Sequence, residues 1–460
     1  MARLVEASLG LCMMMLAACG SAGTLLTQGG PPRATPAGVP ADASRGYRET
    51  VTWGDPPGGG DSSAVAGQLV NIQQIHATDV AFAALRTDGS VVTWGEPAWG
   101  GDSSAVASRL VGVTAIHATR GAFAVLREDG SVVSWGEPAY GGDSRAVAGQ
   151  LVRVREIHAA RDAFAALRED GTVVTWGDAD CGGDSRSVAH RLVHVKKLYA
   201  TRCAFAALRG DGTVVTWGEA RWGGDSSAVA GQLVAVRHIQ AAFFAFAALR
   251  EDGRVVTWGA VAGGGDSAAV ADQLVGVKEI HAADVAFAAL REDGRVVTWG
   301  WMCWGQLCWG GDSSAVADRL VDVTGLRAAA SAFAALRRDG TVVTWGSAKG
   351  GGDSSGVAGR LVDVKAIHAT DVAFAALRGD GTVVTWGAPD HGGDSRAVAR
   401  ELVAVTGLYA TTGAFAALRA DGRVVTWGAP DYGGDSSGVA DRLVDVKTIY
   451  TAKRAFAAVR

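Results

Sequence analysis

The chain has 460 residues, of which 48% are hydrophobic and 64 are glycine, and it carries a formal net charge of −4. A slightly acidic chain without a block of like charge lacks the basic stripe of a nucleic-acid binder. Its six cysteines include no C-x-x-C pair, so neither a disulfide framework nor a zinc site is expected and free thiols are the first reading.

From the N-terminus, Arg3 precedes an apolar run, LGLCMMMLAACG at 9–20. That run is too short to span a bilayer but has the length of a signal-peptide core. Leu16-Ala17-Ala18-Cys19 resembles the lipobox of bacterial lipoproteins, which would leave Cys19 as a lipid anchor. Glu6 and the single basic residue count against export. A cytoplasmic or nuclear setting is therefore expected first, with export or lipid anchoring through residues 1–20 as the alternative. Residues 21–50, rich in Gly, Ala and Pro, read as a flexible linker.

From residue 51 a repeat takes over. Its tryptophan stands at Trp53, Trp94, Trp135, Trp176, Trp217, Trp258, Trp299, Trp345, Trp386 and Trp427, every step being 41 residues except the 46 from Trp299 to Trp345. A fixed period of this size marks a solenoid or propeller. Each unit holds AFAALR and VVTWG runs around an Asp-Gly pair, which predicts a β-hairpin with a two-residue type I′ turn. Both runs are apolar on both faces, as in sheets stacked face to face. After the Trp-Gly comes a variable segment, then Gly-Gly-Asp-Ser, where Asp102 and Ser103 suit the start of a short helical turn. A run such as 110–118 follows, read as another strand with Val111, Val113 and Ile116 inward. The array opens on a strand lacking its AFAALR partner and closes on AFAAVR lacking its Trp-Gly partner. The first strand is thus expected to complete the last blade of an all-β, ten-repeat β-propeller over 51–460.

The pattern I-x-A-x-x-x-A-F-A-A-L-x-x-D-G-x-V-V-T-W-G resembles the repeat of the regulator of chromosome condensation family over residues 51–460. The short unit more closely resembles its beta-lactamase inhibitor protein II branch, which has smaller blades. The resemblance implies a propeller, although those relatives have seven blades and this chain has ten units. Other departures are Thr78, Thr119 or Ala160 where the family has Gly, and Ala81, Ala122 or Ala163 where it has His. The insertion at 301–307 contains Gly305-Gln306-Leu307, which family members carry after Trp-Gly. A related ultraviolet-B photoreceptor senses light through Gly-Trp-Arg-His-Thr. The matching turn here holds Asp79-Val80, Arg161-Asp162 or Phe243-Phe244, never Trp, so photoreception is not expected.

A residue that recurs in every unit serves the blade rather than one active site. Asp102, Ser103 and His117 contain the ingredients of a hydrolase triad, yet Asp143, Ser144 and His158 repeat them, which speaks for a capped turn and a strand histidine in every unit. His76, His117, His158, His281 and His368 share one repeat position with Tyr199, Gln240, Arg327, Tyr409 and Tyr450, so they would be spread around a ring rather than converge on a metal. The Gly-rich runs at 58–61, 263–266 and 350–353 lack the nine-residue recurrence of calcium-binding nonapeptides. No catalytic residue, cofactor or metal is expected.

Variable positions in a uniform repeat carry more information. Before each Gly-Gly-Asp stands Gly58, Trp99, Tyr140, Cys181, Trp222, Gly263, Trp309, Gly350, His391 or Tyr432. Exposed aromatics on rigid loops are what protein recognition uses. Trp99, Tyr140, Trp222, Trp309, His391 and Tyr432 are therefore the expected partner-binding residues of a non-enzymatic interaction propeller. A second variable pair, Arg120-Gly121 to Lys453-Arg454, would decorate a rim. The resemblance also allows guanine-nucleotide exchange on a small GTPase, or substrate recruitment for a ubiquitin ligase. With an export signal, it allows an exported hydrolase inhibitor.

Overall fold

The structure, a computed structural model, describes residues 50–304 and 307–460, apart from the side chains of 301–309. The expected signal or lipid-anchored segment at 1–20, with Cys19, and the linker up to residue 49 lie outside the described residues. Thr50, assigned to that linker, instead opens a strand.

Ten three-stranded antiparallel sheets follow one another, and the insertion adds a two-stranded hairpin. One unit shows the plan: an inner strand Val113–Ala118, a middle strand Ala122–Arg127 and an outer strand Val132–Gly136. The alternation along AFAALR explains why both faces are apolar. Phe123 and Val125 pack against Ala81, Ala83 and Leu85 of the preceding sheet. Ala122 and Ala124 receive Phe164 and Ala166 of the following one. A large face thus meets a small face at each interface, and all ten such phenylalanines are fully buried. Burial on that scale contributes about 1.5–3 kcal/mol for each Phe. The consensus Trp completes the interface. Trp135 stacks on Phe123 at 5.3 Å and donates its indole N–H to the Gly100 carbonyl of the preceding unit at 3.0 Å.

The same packing joins the two ends of the array. Thr50–Gly54 pairs antiparallel with Ala455–Val459, with Trp53 opposite Phe456. Phe82 and Ala84 share a core cluster with Ala455 and Ala457. Inner strands of successive sheets are mutual neighbours, which puts them nearest the axis. Arg155 Nη2 donates to the Val195 carbonyl at 3.3 Å, Arg327 Nε to Ile367 at 3.0 Å, and the Tyr450 hydroxyl to Gln73 at 3.0 Å, from the last sheet to the first.

Three local expectations are corrected. The Asp-Gly pair does not form a two-residue type I′ turn. Gly89 N–H donates to the Arg86 carbonyl at 3.0 Å and Arg86 N–H to the Ser90 carbonyl at 2.9 Å, enclosing a three-residue loop, Thr87-Asp88-Gly89. Only Gly89 takes a positive φ, 77°. Asp88 stays on the ordinary side because its carboxylate accepts from the Ser90 amide at 3.0 Å. Val111 does not point inward: it is 51% exposed, whereas Val113 and Ile116 are buried. The backbone enters the strand after Val111 through Gly112 at φ 61°, so strand alternation starts only at Val113. The helical turn exists as a 3₁₀ segment, Ser104–Arg109, but Ser103 does not cap it through its side chain. Asp102 Oδ1 accepts from the Ser104 amide at 2.8 Å instead.

Candidate interaction face

The turn between inner and middle strands and the variable segment after the outer strand emerge at the same end of each sheet. Register dictates this, since Ala122, which follows the turn, pairs with Gly136, which precedes the segment. The first turn residues link unit to unit through their backbones. Asp79 N–H donates to Arg120 O at 2.9 Å, Arg120 to Arg161 at 3.0 Å, and so on to Thr412 and Lys453 at 3.1 Å. Lys453 Nζ then meets Asp79 Oδ1 at 3.1 Å. Charge is uneven around this circle, with Arg120, Arg161 and Arg202 consecutive and Asp284 and Asp371 elsewhere. Burial raises the Asp284 carboxyl well above the usual carboxylate range, and Asp371 adds to the effect.

The second turn residues alternate with the residues that precede each Gly-Gly-Asp. A Cβ built on Gly121 would lie 2.6 Å from Tyr140 Cδ2 and 3.2 Å from Trp99 Cε3; one on Gly413 would lie 2.9 Å from Tyr432 Cγ and 3.1 Å from His391 Cδ2. The two variable positions, read separately in the sequence, are therefore one circle of alternating side chains. Within it Trp99 meets Tyr140 edge-on at 5.6 Å, Trp222 meets Phe244 at 5.1 Å, and His391 meets Tyr432 at 6.0 Å. Arg120 lies over the Tyr140 ring at 3.9 Å and Arg454 over Tyr432 at 5.3 Å.

Trp99, Tyr140, Trp222, His391 and Tyr432 are thus half-buried rather than freely exposed, because each rests on its neighbours in the circle. The side chain of Trp309 lies outside the described residues. Sequence reasoning missed how these loops are held. The Thr78 hydroxyl donates to the Trp99 carbonyl at 3.2 Å, Thr119 to Tyr140 at 2.8 Å, Thr201 to Trp222 at 3.0 Å, Thr370 to His391 at 3.2 Å and Thr411 to Tyr432 at 2.9 Å. The units with Gly58, Cys181, Gly263, Trp309 and Gly350 carry Ala452, Ala160, Ala242, Ala283 and Ala329 in place of that threonine. The signal was legible: a Thr 21 positions ahead of each of these five ring-bearing residues.

Cys181 and Cys203 are disulfide-bonded, which corrects the expectation of free thiols. Their separation of 22 residues is the spacing of neighbours in the circle, a relation set by blade geometry and not by any local motif. Cys303 and Cys308 are register partners in the insertion hairpin.

The triad ingredients are spoken for separately. The Ser103 hydroxyl bonds to Thr93 at 3.0 Å and Asp102 to the Ser104 amide. His117 sits on an inner strand, where burial lowers its pKa to about 3, with His76 and His158 adding to the shift. Burial lowers His76 and His368 to about 4. No helix among the described residues is long and apolar enough to cross a membrane.

No family model matches the chain, and no curated protein matches it. Solved structures similar to it include Prp20p from Saccharomyces cerevisiae, at 13% identity over 90% of this chain and 91% of that one with a TM-score of 0.39. The ectodomain of the receptor kinase CR4 from Physcomitrella patens matches at 18% identity over 64% and 73%, with a TM-score of 0.33. The computationally designed Ika8 protein matches at 16% identity over 69% and 96%, with a TM-score of 0.31. The propeller assignment rests on the chain's own sheets and their register.

Proposed function

We propose that the chain is a non-enzymatic propeller that binds a protein partner through the circle of variable side chains at the turn end of its blades. The observation that carries this reading is the coupling of each described ring-bearing residue to its threonine. A loop that had merely drifted would not need its carbonyl held, whereas an aromatic presented from a fixed loop loses little entropy on binding. The test is a paired pull-down with mass spectrometry. Wild-type chain is compared with a Trp99→Ala, Tyr140→Ala, Trp222→Ala, Tyr432→Ala variant, both checked for folding by circular dichroism. A partner retained by the wild type and lost by the variant supports the reading. Partners held equally by both would overturn it.

Guanine-nucleotide exchange and substrate recruitment for a ubiquitin ligase are narrower versions of the same binding role, and a nucleotide-release assay over a panel of small GTPases tests the first. The exported-inhibitor reading gains from one observation. The Cys181–Cys203 disulfide suits an oxidising compartment. Sequencing the N-terminus of the mature chain decides it, since a start at Met1 would remove export.

A further inference from the structure

Asp162, Cys181 and Cys203 are consecutive members of the circle, and their donor atoms all lie within 4.8 Å of one another. Asp162 is the one acidic residue among the ten second-turn positions, and it flanks the circle's two cysteines. All three residues are buried. The carboxylate is already oriented: Arg120 Nε lies 2.7 Å from Oδ1, while Oδ2 faces Cys181 Sγ at 3.8 Å. At the equivalent positions elsewhere the side chains are apolar or unrelated in chemistry, such as Gly263 with Val285 or Trp222 with Phe244. A disulfide alone would not require a carboxylate beside it.

We propose that, once this disulfide is reduced, the Cys181 and Cys203 thiolates and the Asp162 carboxylate bind a zinc-like divalent cation. Two sulfurs and one oxygen form a donor set that zinc accepts, with a fourth tetrahedral position left for water. The Arg120 guanidinium would hold the carboxylate from outside, the role outer-shell partners play at metal sites. The opening step is thiol–disulfide exchange with a dithiol reductant. One reductant thiolate attacks a sulfur of the pair and the S–S bond breaks. The second reductant thiolate then attacks the reductant's own sulfur in the mixed disulfide, breaking that bond and releasing the remaining cysteine as a thiolate. Two electrons pass to the cysteines and the reductant leaves as its own disulfide. Cation binding then releases the two thiol protons to solvent. The oxidised chain carries a crosslink and the reduced chain a metal site, in the same place between two blades.

The experiment uses the full chain, oxidised or reduced under anaerobic conditions with the reductant then removed. Cobalt(II) is titrated while thiolate-to-cobalt absorption is read, and zinc affinity is measured by competition with a chromophoric chelator. The reduced wild type is expected to take up one equivalent with sulfur-ligated absorption, and the oxidised chain none. Asp162→Asn should weaken binding by roughly tenfold or more, the scale of disturbing a fixed ligand set, and Cys181→Ser or Cys203→Ala should abolish it. Melting curves of each variant establish that it folds. Absence of uptake by the reduced chain would overturn the proposal. So would uptake that persists in Cys181→Ser and Asp162→Asn, which would put the metal on other cysteines.

Discussion

The indole N–H of Trp53 donates to the carbonyl of Gly433, 380 positions further along the chain, at 3.0 Å. Within the array the same bond spans 35 positions, as from Trp94 to Gly59. The interface between the last and first sheets is thus chemically the interface found between their interior counterparts. Trp345 is the exception, since its buried Nε1 has no protein partner among the described residues. It follows the unit that carries the insertion, where the hairpin Trp301–Trp304 and Leu307–Gly310 replaces the ordinary loop. Trp53→Phe should therefore cost more than Trp345→Phe by about 1–3 kcal/mol, the penalty for leaving a buried carbonyl unpaired. Urea unfolding of the two variants measures the difference, and equal costs would mean that the bond contributes nothing.

Glycine is required at one loop position and not at another. Gly100 has φ +101°, and a Cβ there would lie 2.5 Å from Phe123 Cδ2; Gly149 has nothing within 4 Å. Gly100→Ala is expected to destabilise by about 2–3 kcal/mol, through overpacking and a left-handed backbone. Gly149→Ala should be neutral or stabilise by up to about 1 kcal/mol, since Ala restricts the unfolded chain. Thermal melts of both variants check the contrast.

Acid stability should depend on the inner-strand histidines. Burial holds His117 at about 3, and His76 and His368 at about 4, against an ordinary value of 6.5. These depressed values mean that the folded state binds fewer protons than the unfolded chain. Their contribution is complete above pH ~6.5 and is lost as pH falls towards 3–4. The Glu279 carboxyl, held at about 2 chiefly by its hydrogen bond to His281, acts in the same direction but only below its ordinary 4.5. The buried Asp284 carboxyl, raised well above its ordinary range, acts in the opposite direction as pH falls. It is common to wild type and a His117 variant, so the difference between the two chains from pH 7 to pH 5 isolates His117. His117→Gln should lose less stability over that interval than wild type, by about 1–2 kcal/mol. Urea midpoints at the two pH values give the result, and identical losses would place His117 in solvent.

Much of the fold was legible because the period, the AFAALR–VVTWG hairpin and the complementary ends are all written in the letters from Val51 to Arg460. The sequence was silent where geometry depends on neighbours in space. Asp88-Gly89 suits two hairpin loops, and the closing bonds from Arg86 decide for the longer. Cys181 and Cys203 meet because adjacent blades present them side by side, a contact that no local spacing announces. The threonine ahead of each described ring-bearing residue was visible yet uninterpretable until the hydroxyl of Thr119 was seen on the carbonyl of Tyr140. For the candidate site, the sequence identified variable positions but not that two sets of them interleave.

That interleaving makes a quantitative claim about size. Where Gly58, Gly263 or Gly350 precedes in the circle, the next second-turn residue is Val80, Val285 or Val372; where Trp99 and Tyr140, or His391 and Tyr432, stand on both sides, it is Gly121 or Gly413. Gly121 has an ordinary backbone conformation, so only space forbids a side chain there, with Tyr140 and Trp99 the atoms in the way. Gly121→Val should cost about 1–3 kcal/mol by overpacking. Trp99→Gly should also destabilise, by removing a half-buried ring and leaving a gap. Together they recreate the Gly–Val–aromatic order already found at Gly58, Val80 and Trp99. The double variant should therefore be less destabilised than the sum of the singles by about 1 kcal/mol or more. A double-mutant cycle in urea measures that coupling. Additive effects would show that the two positions vary independently and that the circle is no packing unit; coupling would mean that partner-binding substitutions must be made in matched pairs to leave the blades undisturbed.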